Sequence, residues 1–280
     1  MAFDHVAIVG LGLMGGSLAR DLAAMGVRVS AYDADATQLA AAIRANVIAT
    51  ALDASLDGIG DADVVVLATP VDAAVELLRR IAPDVARAKL ITDVGSTKAR
   101  IVEQARGLGL ADRFVGSHPM AGDHRSGWAA SRTGLYVDAP VYLCANRDAS
   151  PGAISFAETL WRRVGALPEQ MLAEAHDQKL AWTSHLPHIV SISLSLALAR
   201  GGVSRAELGP GGRDVTRLAG SSPEMWTAIA MDNASELESA LRRTEREIAS
   251  LRDVIKRADR HELKARLAAA RTWFEETGGE

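Results

Sequence analysis

The sequence predicts an α/β chain in which a largely parallel sheet is followed by an all-helical domain. Three observations predict it. Short β-rich runs alternate with helical runs through residue 171, the central runs such as "VVVLA" are continuously apolar, and after Met171 the strand signal stops. Alternation of strand and helix implies crossover units and parallel pairing. Uninterrupted apolar strands suit a sheet covered on both faces. The boundary falls at 171/172, giving domains 1–171 and 172–280.

In chain order, strands are expected at 5–10 (HVAIVG), 27–33 (VRVSAYD), 62–69 (ADVVVLAT), 89–95 (KLITDVG), 113–118 (RFVGSH), 140–145 (PVYLCA) and 165–171 (GALPEQM). Helical patterns at 14–25, 35–45, 71–85, 97–108 and 151–164 fall between most of them. Beyond 171 the pattern is helix at 172–200, a Gly/Pro-rich break at "LGPGGRD", then helices at 223–231, 233–257 and 261–275. Leu237, Leu241, Ile248, Leu251 and Ile255 form a stripe at heptad-like spacing. It reads as core packing within a helical domain, with a dimer seam as the alternative.

Composition narrows the function classes. The chain has 280 residues, 48% of them hydrophobic, enough for a sizeable core. The net charge of −4 is dispersed along the chain and argues against a nucleic-acid partner. Cys144 is the single cysteine and lies in an apolar strand, so neither an intrachain disulfide nor a catalytic thiol is expected, and a reducing cytoplasm fits. "MAFDHVAIVG" lacks a basic n-region and a cleavage site, so no signal peptide is expected. The apolar run 189–199 is too short to span a bilayer.

"GLGLMG" places Gly10, Gly12 and Gly15 in a G-x-G-x-x-G pattern that follows a strand and opens a helix. The first glycine permits the tight turn, the second lets backbone approach a pyrophosphate, and the third lets helix and strand pack closely. The helix N-terminus, through Leu13 and Met14, offers N–H groups to phosphates. Asp33 ends the second strand about twenty residues on, where a carboxylate accepts the ribose hydroxyls and repels a 2′-phosphate. This is the signature of a Rossmann-type domain that prefers NAD to NADP. Thr69 and Pro70 end a later strand and border the same crevice.

Further motifs carry chemistry. In "DVGSTKA", Ser96 is either a helix N-cap or a site residue. In "GSHPMAG", His118 closes a strand between Ser117 and Pro119, placed to accept a hydroxyl proton as hydride leaves the same carbon. "HDQKLAWTSHLPH" holds His176, Asp177, His185 and His188. His185 and His188 have a spacing that could hold a metal, but no cysteine or carboxylate completes a site, and no metal is expected. Arg213 and Arg217 are four apart, so on a helix they share a face suited to a dicarboxylate. "SSPE" is a helix start, by Ser222 with Pro223 in the first turn or by a Ser221/Glu224 capping box.

Taken together, "GLGLMGGSLA", "DVGSTK", "GSHPMAG", "SHLPH" and "RDVTRLAGSSPEMW" resemble the prephenate/arogenate dehydrogenase family of tyrosine biosynthesis over nearly the whole chain. The resemblance implies a Rossmann domain followed by an all-α dimerisation domain, an intimate homodimer and a small dicarboxylate substrate. It implies oxidative decarboxylation of prephenate, arogenate or both, with NAD as hydride acceptor. Residue by residue, it makes His118 the catalytic histidine and Ser96 its companion at the ring hydroxyl. It makes His188 a substrate-site histidine and Arg217 the side-chain carboxylate anchor. Arg213, Asp177 and Trp226 become residues that close the site, partly from the other subunit. Asp123, His124 and Gly212 depart from the family pattern near the substrate mouth and leave the choice of substrate open. Two rivals remain: a β-hydroxyacid dehydrogenase, for which Lys179 would be the catalytic lysine, and a module that holds NAD without turnover.

Overall fold

The computed structural model describes residues 3–122 and 125–276. Its contacts divide the chain into two compact units, Met1–Ala234 and Ser235–Glu280.

The first unit opens with β1 (His5–Val9), α1 (Leu13–Ala24), β2 (Arg28–Tyr32), α2 (Ala36–Arg44), β3 (Thr50–Ala51), β4 (Val64–Leu67), α3 (Val71–Ile81), β5 (Leu90–Asp93) and α4 (Ala99–Gly107). The five strands form one parallel sheet in the order β3-β2-β1-β4-β5. Order reverses at β1, which pairs with β2 on one side and β4 on the other. That reversal places the crevice at the carboxyl ends of β1 and β4. Both faces are covered, as the apolar strands require. Val6 and Ile8 pack with Leu18 and Leu22 of α1, while Ala7 and Val9 pack with Leu78 of α3 and Ile101 of α4. The two-residue β3 carries no periodicity and escapes sequence reading.

The remaining strands do not extend this sheet. β6 (Val115–Pro119), β7 (Pro140–Ala145) and β8 (Leu167–Met171) form a second sheet, with α5 (Pro151–Arg163) between β7 and β8. β6 and β7 pair antiparallel, whereas β7 and β8 pair parallel. His118 therefore ends a strand whose main partner runs the opposite way, which corrects the expectation of a parallel strand there. The physical reason is the β6–β7 connection: among its described residues it holds one 3₁₀ turn, Trp128–Ala130, and no crossover helix. A single parallel bridge, Ile91 to Phe114, joins the start of this region to β5.

The expected helix at 172–200 is three pieces: α6 (Ala173–Leu180), a π-helical turn (Ala181–His185) and α7 (Leu186–Arg200). The Gly/Pro break contains a short helix, α8 (Pro210–Val215), because Pro210 suits a first turn. α9 (Pro223–Asp232) starts as expected, with the Ser222 hydroxyl accepting from the Met225 N–H at 3.2 Å.

α10 (Ala234–Lys256) leads into the second unit, which ends in α11 (Arg260–Glu276). Asp259 caps α11 by accepting from the Glu262 N–H, and Arg266 ties α11 to Ser250 of α10 at 2.7 Å. Along the α10 stripe, Leu237 is buried and Leu241 and Leu251 are half-buried, but Ile248 and Ile255 are exposed. The stripe is therefore only partly core packing within this chain. No helix among the described residues is long and apolar enough to cross a membrane.

Candidate active site

The glycine loop between β1 and α1 is shaped by what a side chain would strike. Gly10 has φ +99°, and a Cβ there would lie 2.5 Å from the Ala68 carbonyl oxygen. A Cβ on Gly15 would lie 1.9 Å from the Gly10 carbonyl oxygen. At Gly12 a Cβ would meet nothing within 4 Å. Gly10 and Gly15 thus serve the packing of the turn, while Gly12 leaves a face of backbone open. Gly12 is also the N-cap of α1 and supplies no side-chain cap, with buried Leu13 and half-buried Met14 in the first turn. Asp33 accepts from the Leu11 N–H at 2.6 Å and from the Asp35 N–H at 2.8 Å, fastening the loop to the end of β2. Thr69 carries a buried hydroxyl oxygen without a partner among the described residues, and Pro70 caps α3 beside it. An open glycine, an uncapped helix N-terminus and an orphaned hydroxyl at the switch point fit a dinucleotide.

At the other side of β5 the site is made by side chains. Ser117 fixes β6: its hydroxyl lies 2.8 Å from that of Thr92 and accepts from the Trp161 indole N–H at 2.9 Å. One residue on, His118 is buried, with Nδ1 2.8 Å from Nε2 of His176. His176 in turn places Nδ1 2.7 Å from Oδ1 of Asp177. Asp177 also accepts from the Lys98 and Ala99 N–H groups, both at 2.8 Å, and so caps α4 from a distant helix. Burial holds His118 well below the usual histidine range, helped by the electrostatic influence of neighbouring His176, Lys98 and His185. It is therefore neutral near pH 7. Beneath lies the fully buried ion pair of Lys98 with Asp93. Burial pushes the Asp93 carboxyl up against the pull of Lys98, and its Oδ1 lacks a side-chain partner among the described residues.

The π-turn and α7 continue the cluster. Asn233 donates to the Asp177 carbonyl at 2.8 Å and lies 3.1 Å from His185 Nδ1. His185 Nε2 is buried without a partner among the described residues, as is Trp226 Nε1. Burial lowers His185 to about 4. Trp226 stacks on His188 with ring centres 3.6 Å apart and meets His185 edge-on at 6.0 Å. His188 is held by its contact with the Ser184 carbonyl, and its pKa is lowered by burial first and then by the charge of Arg217. Arg217 is exposed and lines a cavity of about 520 Å³ with Ser195, Leu208 and Thr216.

Several expectations need correction. Asp177 is buried, and its carboxylate is engaged by His176 and the α4 N-terminus rather than open at the mouth of the site. Ser96 is not the N-cap of α4; it sits in a half-buried bend, and Lys98 holds the cap position. Arg213 and Arg217 do not share a helix face, because α8 ends at Val215 and Arg217 begins a separate 3₁₀ turn. Arg213 donates instead to the Ala206 carbonyl at 3.2 Å. His176 and His185, set aside by sequence reading, are central, and their clustering with His188 along one helical run was the available signal. Among the described residues no group of three metal-ligating side chains forms. Cys144 is buried in β7 and pushed up to about 12 by burial, an inert thiol. Lys179 is bound to the Tyr142 hydroxyl at 2.8 Å, which leaves the hydroxyacid-dehydrogenase lysine without a role. Asp123 and His124 lie outside the described residues.

Comparison with known proteins agrees with this fold. Residues 18–169 match the family model for the prephenate dehydrogenase nucleotide-binding domain, and residues 172–269 match that for the prephenate dehydrogenase dimerization domain. The chain is 34% identical to prephenate dehydrogenase of Bacillus subtilis over 93% of this chain and 72% of that protein. It is 33% identical to cyclohexadienyl dehydrogenase of Zymomonas mobilis over 95% and 96%. The crystal structure of prephenate dehydrogenase from A. aeolicus, in complex with hydroxyphenyl propionate and NAD+, superposes with a TM-score of 0.90 at 29% identity, covering 99% of each chain. Two adjoining family models together span most of the sequence, and the chain belongs to the prephenate dehydrogenase family.

Proposed function

We propose that this NAD-dependent dehydrogenase of the prephenate/arogenate class uses His118 as the base for oxidative decarboxylation. The observation that carries the reading is a buried, neutral histidine whose Nδ1 is hydrogen-bonded to His176, itself held by Asp177. A neutral imidazole accepts the proton of the ring C4 hydroxyl. Bound at the glycine loop, NAD⁺ supplies the acceptor for the C4 hydride. Gly10, Gly12, Gly15, Leu13, Met14, Thr69 and Pro70 form the cradle, and Asp33 favours the unphosphorylated ribose. Loss of CO₂ from C1 restores aromaticity and makes the conversion effectively irreversible.

The other side chains bind and orient. Trp226 and His185 offer buried N–H donors, and His188 is fixed beside them. Arg217 anchors a side-chain carboxylate and Arg213 adds charge at the mouth, while Ser96 contacts the hydroxyl that His118 deprotonates. These residues complement a small dicarboxylate. Residues 1–171 act as the nucleotide-binding domain and 172–280 as the substrate and dimerisation domain. A second copy of the chain covers exposed Ile248 and Ile255, making a homodimer without nucleic-acid or membrane partners, acting in the cytoplasm. The test is purified protein with NAD⁺, assayed for NADH formation on prephenate and arogenate separately. Turnover of either supports the reading; turnover of neither overturns it.

A further inference from the structure

We propose that His176 and Asp177 are positioning residues that lock His118 in the tautomer with its proton on Nδ1, leaving Nε2 bare as the atom that takes the substrate proton. The inference rests on His118 being the base and goes beyond it by fixing which nitrogen works and what holds it so.

The direction of each hydrogen bond follows from its far end. As a carboxylate, Asp177 only accepts, and it already receives two backbone N–H groups from the start of α4. Its contact with His176 Nδ1 therefore requires a hydrogen on that nitrogen. Neutral His176 then has a bare Nε2, which accepts. The group facing it at 2.8 Å is His118 Nδ1, which must carry the hydrogen. One proton remains for a neutral imidazole, so Nε2 of His118 is unprotonated. The relay ends at the N-terminus of α4, whose partial positive charge and paired N–H groups hold the Asp177 carboxylate in one orientation.

In the reaction, the substrate O–H bond breaks as an N–H bond forms on Nε2. The electron pair left on oxygen becomes the new carbonyl bond while C4 loses its hydrogen as hydride to the nicotinamide. His118 becomes an imidazolium that keeps its Nδ1 hydrogen, still donated to His176. The groups facing this pair are Asp93 and Lys98 from β5 and the segment leading into α4, Tyr142 from β7, Asp177 from α6 and His185 from the π-turn. Lys98 opposes a positive charge on either histidine, with Asp93 as its counter-ion.

Two measurements test the assignment. The first is the nitrogen NMR spectrum of histidine-labelled protein, free and with NAD⁺, with the His118 signals assigned by difference against His118→Asn. A protonated Nδ1 and an unprotonated Nε2 are expected; the reverse tautomer overturns the proposal, whether or not the enzyme turns over prephenate. The second compares His176→Leu, which removes the acceptor, with His176→Gln, whose amide oxygen can accept the same hydrogen. The leucine variant should lose roughly 100-fold or more in kcat with KM nearly unchanged, and glutamine should recover part of the loss. A leucine variant with wild-type kcat overturns the proposal. Should it fail to fold, the wild-type spectrum decides alone.

Discussion

The two ends of the crevice recognise by different means. At the nucleotide end the working groups are backbone, and the sequence acts by omission: Gly10 and Gly15 are where a Cβ would strike carbonyl oxygens, and Gly12 is where it would strike nothing. At the substrate end the working groups are side chains from several elements, and those nearest His118 are held by one another and by a helix terminus. A backbone site tolerates changes of charge and pH but not of volume. A side-chain site has the opposite sensitivities.

The largest effect should come from removing the base. His118→Asn is expected to lower kcat roughly 100- to 10,000-fold while NAD⁺ affinity, set at the other end, is retained. Unchanged turnover would show that the base lies elsewhere. Next in size is Arg217→Ala. Loss of a charged hydrogen bond to a carboxylate costs about 1.5–3 kcal/mol, a roughly 10- to 150-fold rise in KM. Prephenate and arogenate share the side-chain carboxylate, so both KM values should rise together; a normal KM for either removes Arg217 as the anchor.

The glycines separate volume from recognition. Gly15→Ala forces a Cβ against the Gly10 carbonyl and should destabilise the fold by about 1–3 kcal/mol. Gly12→Ala should leave the unfolding temperature near wild type yet weaken NAD⁺ binding. Equal losses of stability in both variants would break the distinction.

The pH response sharpens the comparison with the smallest effect per step. His118, His176, His185 and His188 all have lowered pKa values, with burial the main cause. The unfolded chain then binds more protons than the folded one below about pH 6.5, so stability is full above that value and is lost as pH falls. His185, held at about 4, alone costs about 1.4 kcal/mol per pH unit between those limits. Urea unfolding at fixed protein concentration should give a lower midpoint at pH 5.5 than at 7.5. NAD⁺ affinity of the folded protein should change little over the same interval. A flat stability profile would contradict the buried neutral cluster.

Legibility follows the same division. The nucleotide end could be read because its parts are adjacent in sequence: a strand, three glycines and a helix start within residues 5–24, with Asp33 closing the next strand. The position of His118 near the end of a strand was legible from the local pattern. What could not be read is any role that depends on a distant partner. Asp177 looks like a residue of the site's mouth until the first turn of α4 is seen to rest on its carboxylate, with Lys98 79 positions away in sequence. His176 looks unremarkable until β6 brings His118 within 2.8 Å. The antiparallel turn of β6 onto β7 was hidden for a related reason, since strand composition does not report direction.

The π-turn at 181–185 has a consequence for how this site can change. Each residue of a regular α-helix advances the chain by about 100° around the axis, and a π-turn is the mark of one residue more than the regular winding holds. His185 and His188 therefore sit out of phase with where an unbroken helix continuing from His176 would carry them. Deleting a single residue within the turn would heal the helix and make the segment more regular. Because the turn absorbs the extra residue, such a deletion would leave His188 close to its present phase. Winding the full-length segment as unbroken α-helix would instead swing His188 away from Trp226 by up to about 100°. Point substitutions can tune this site gradually, but a change of winding here works as a switch of phase.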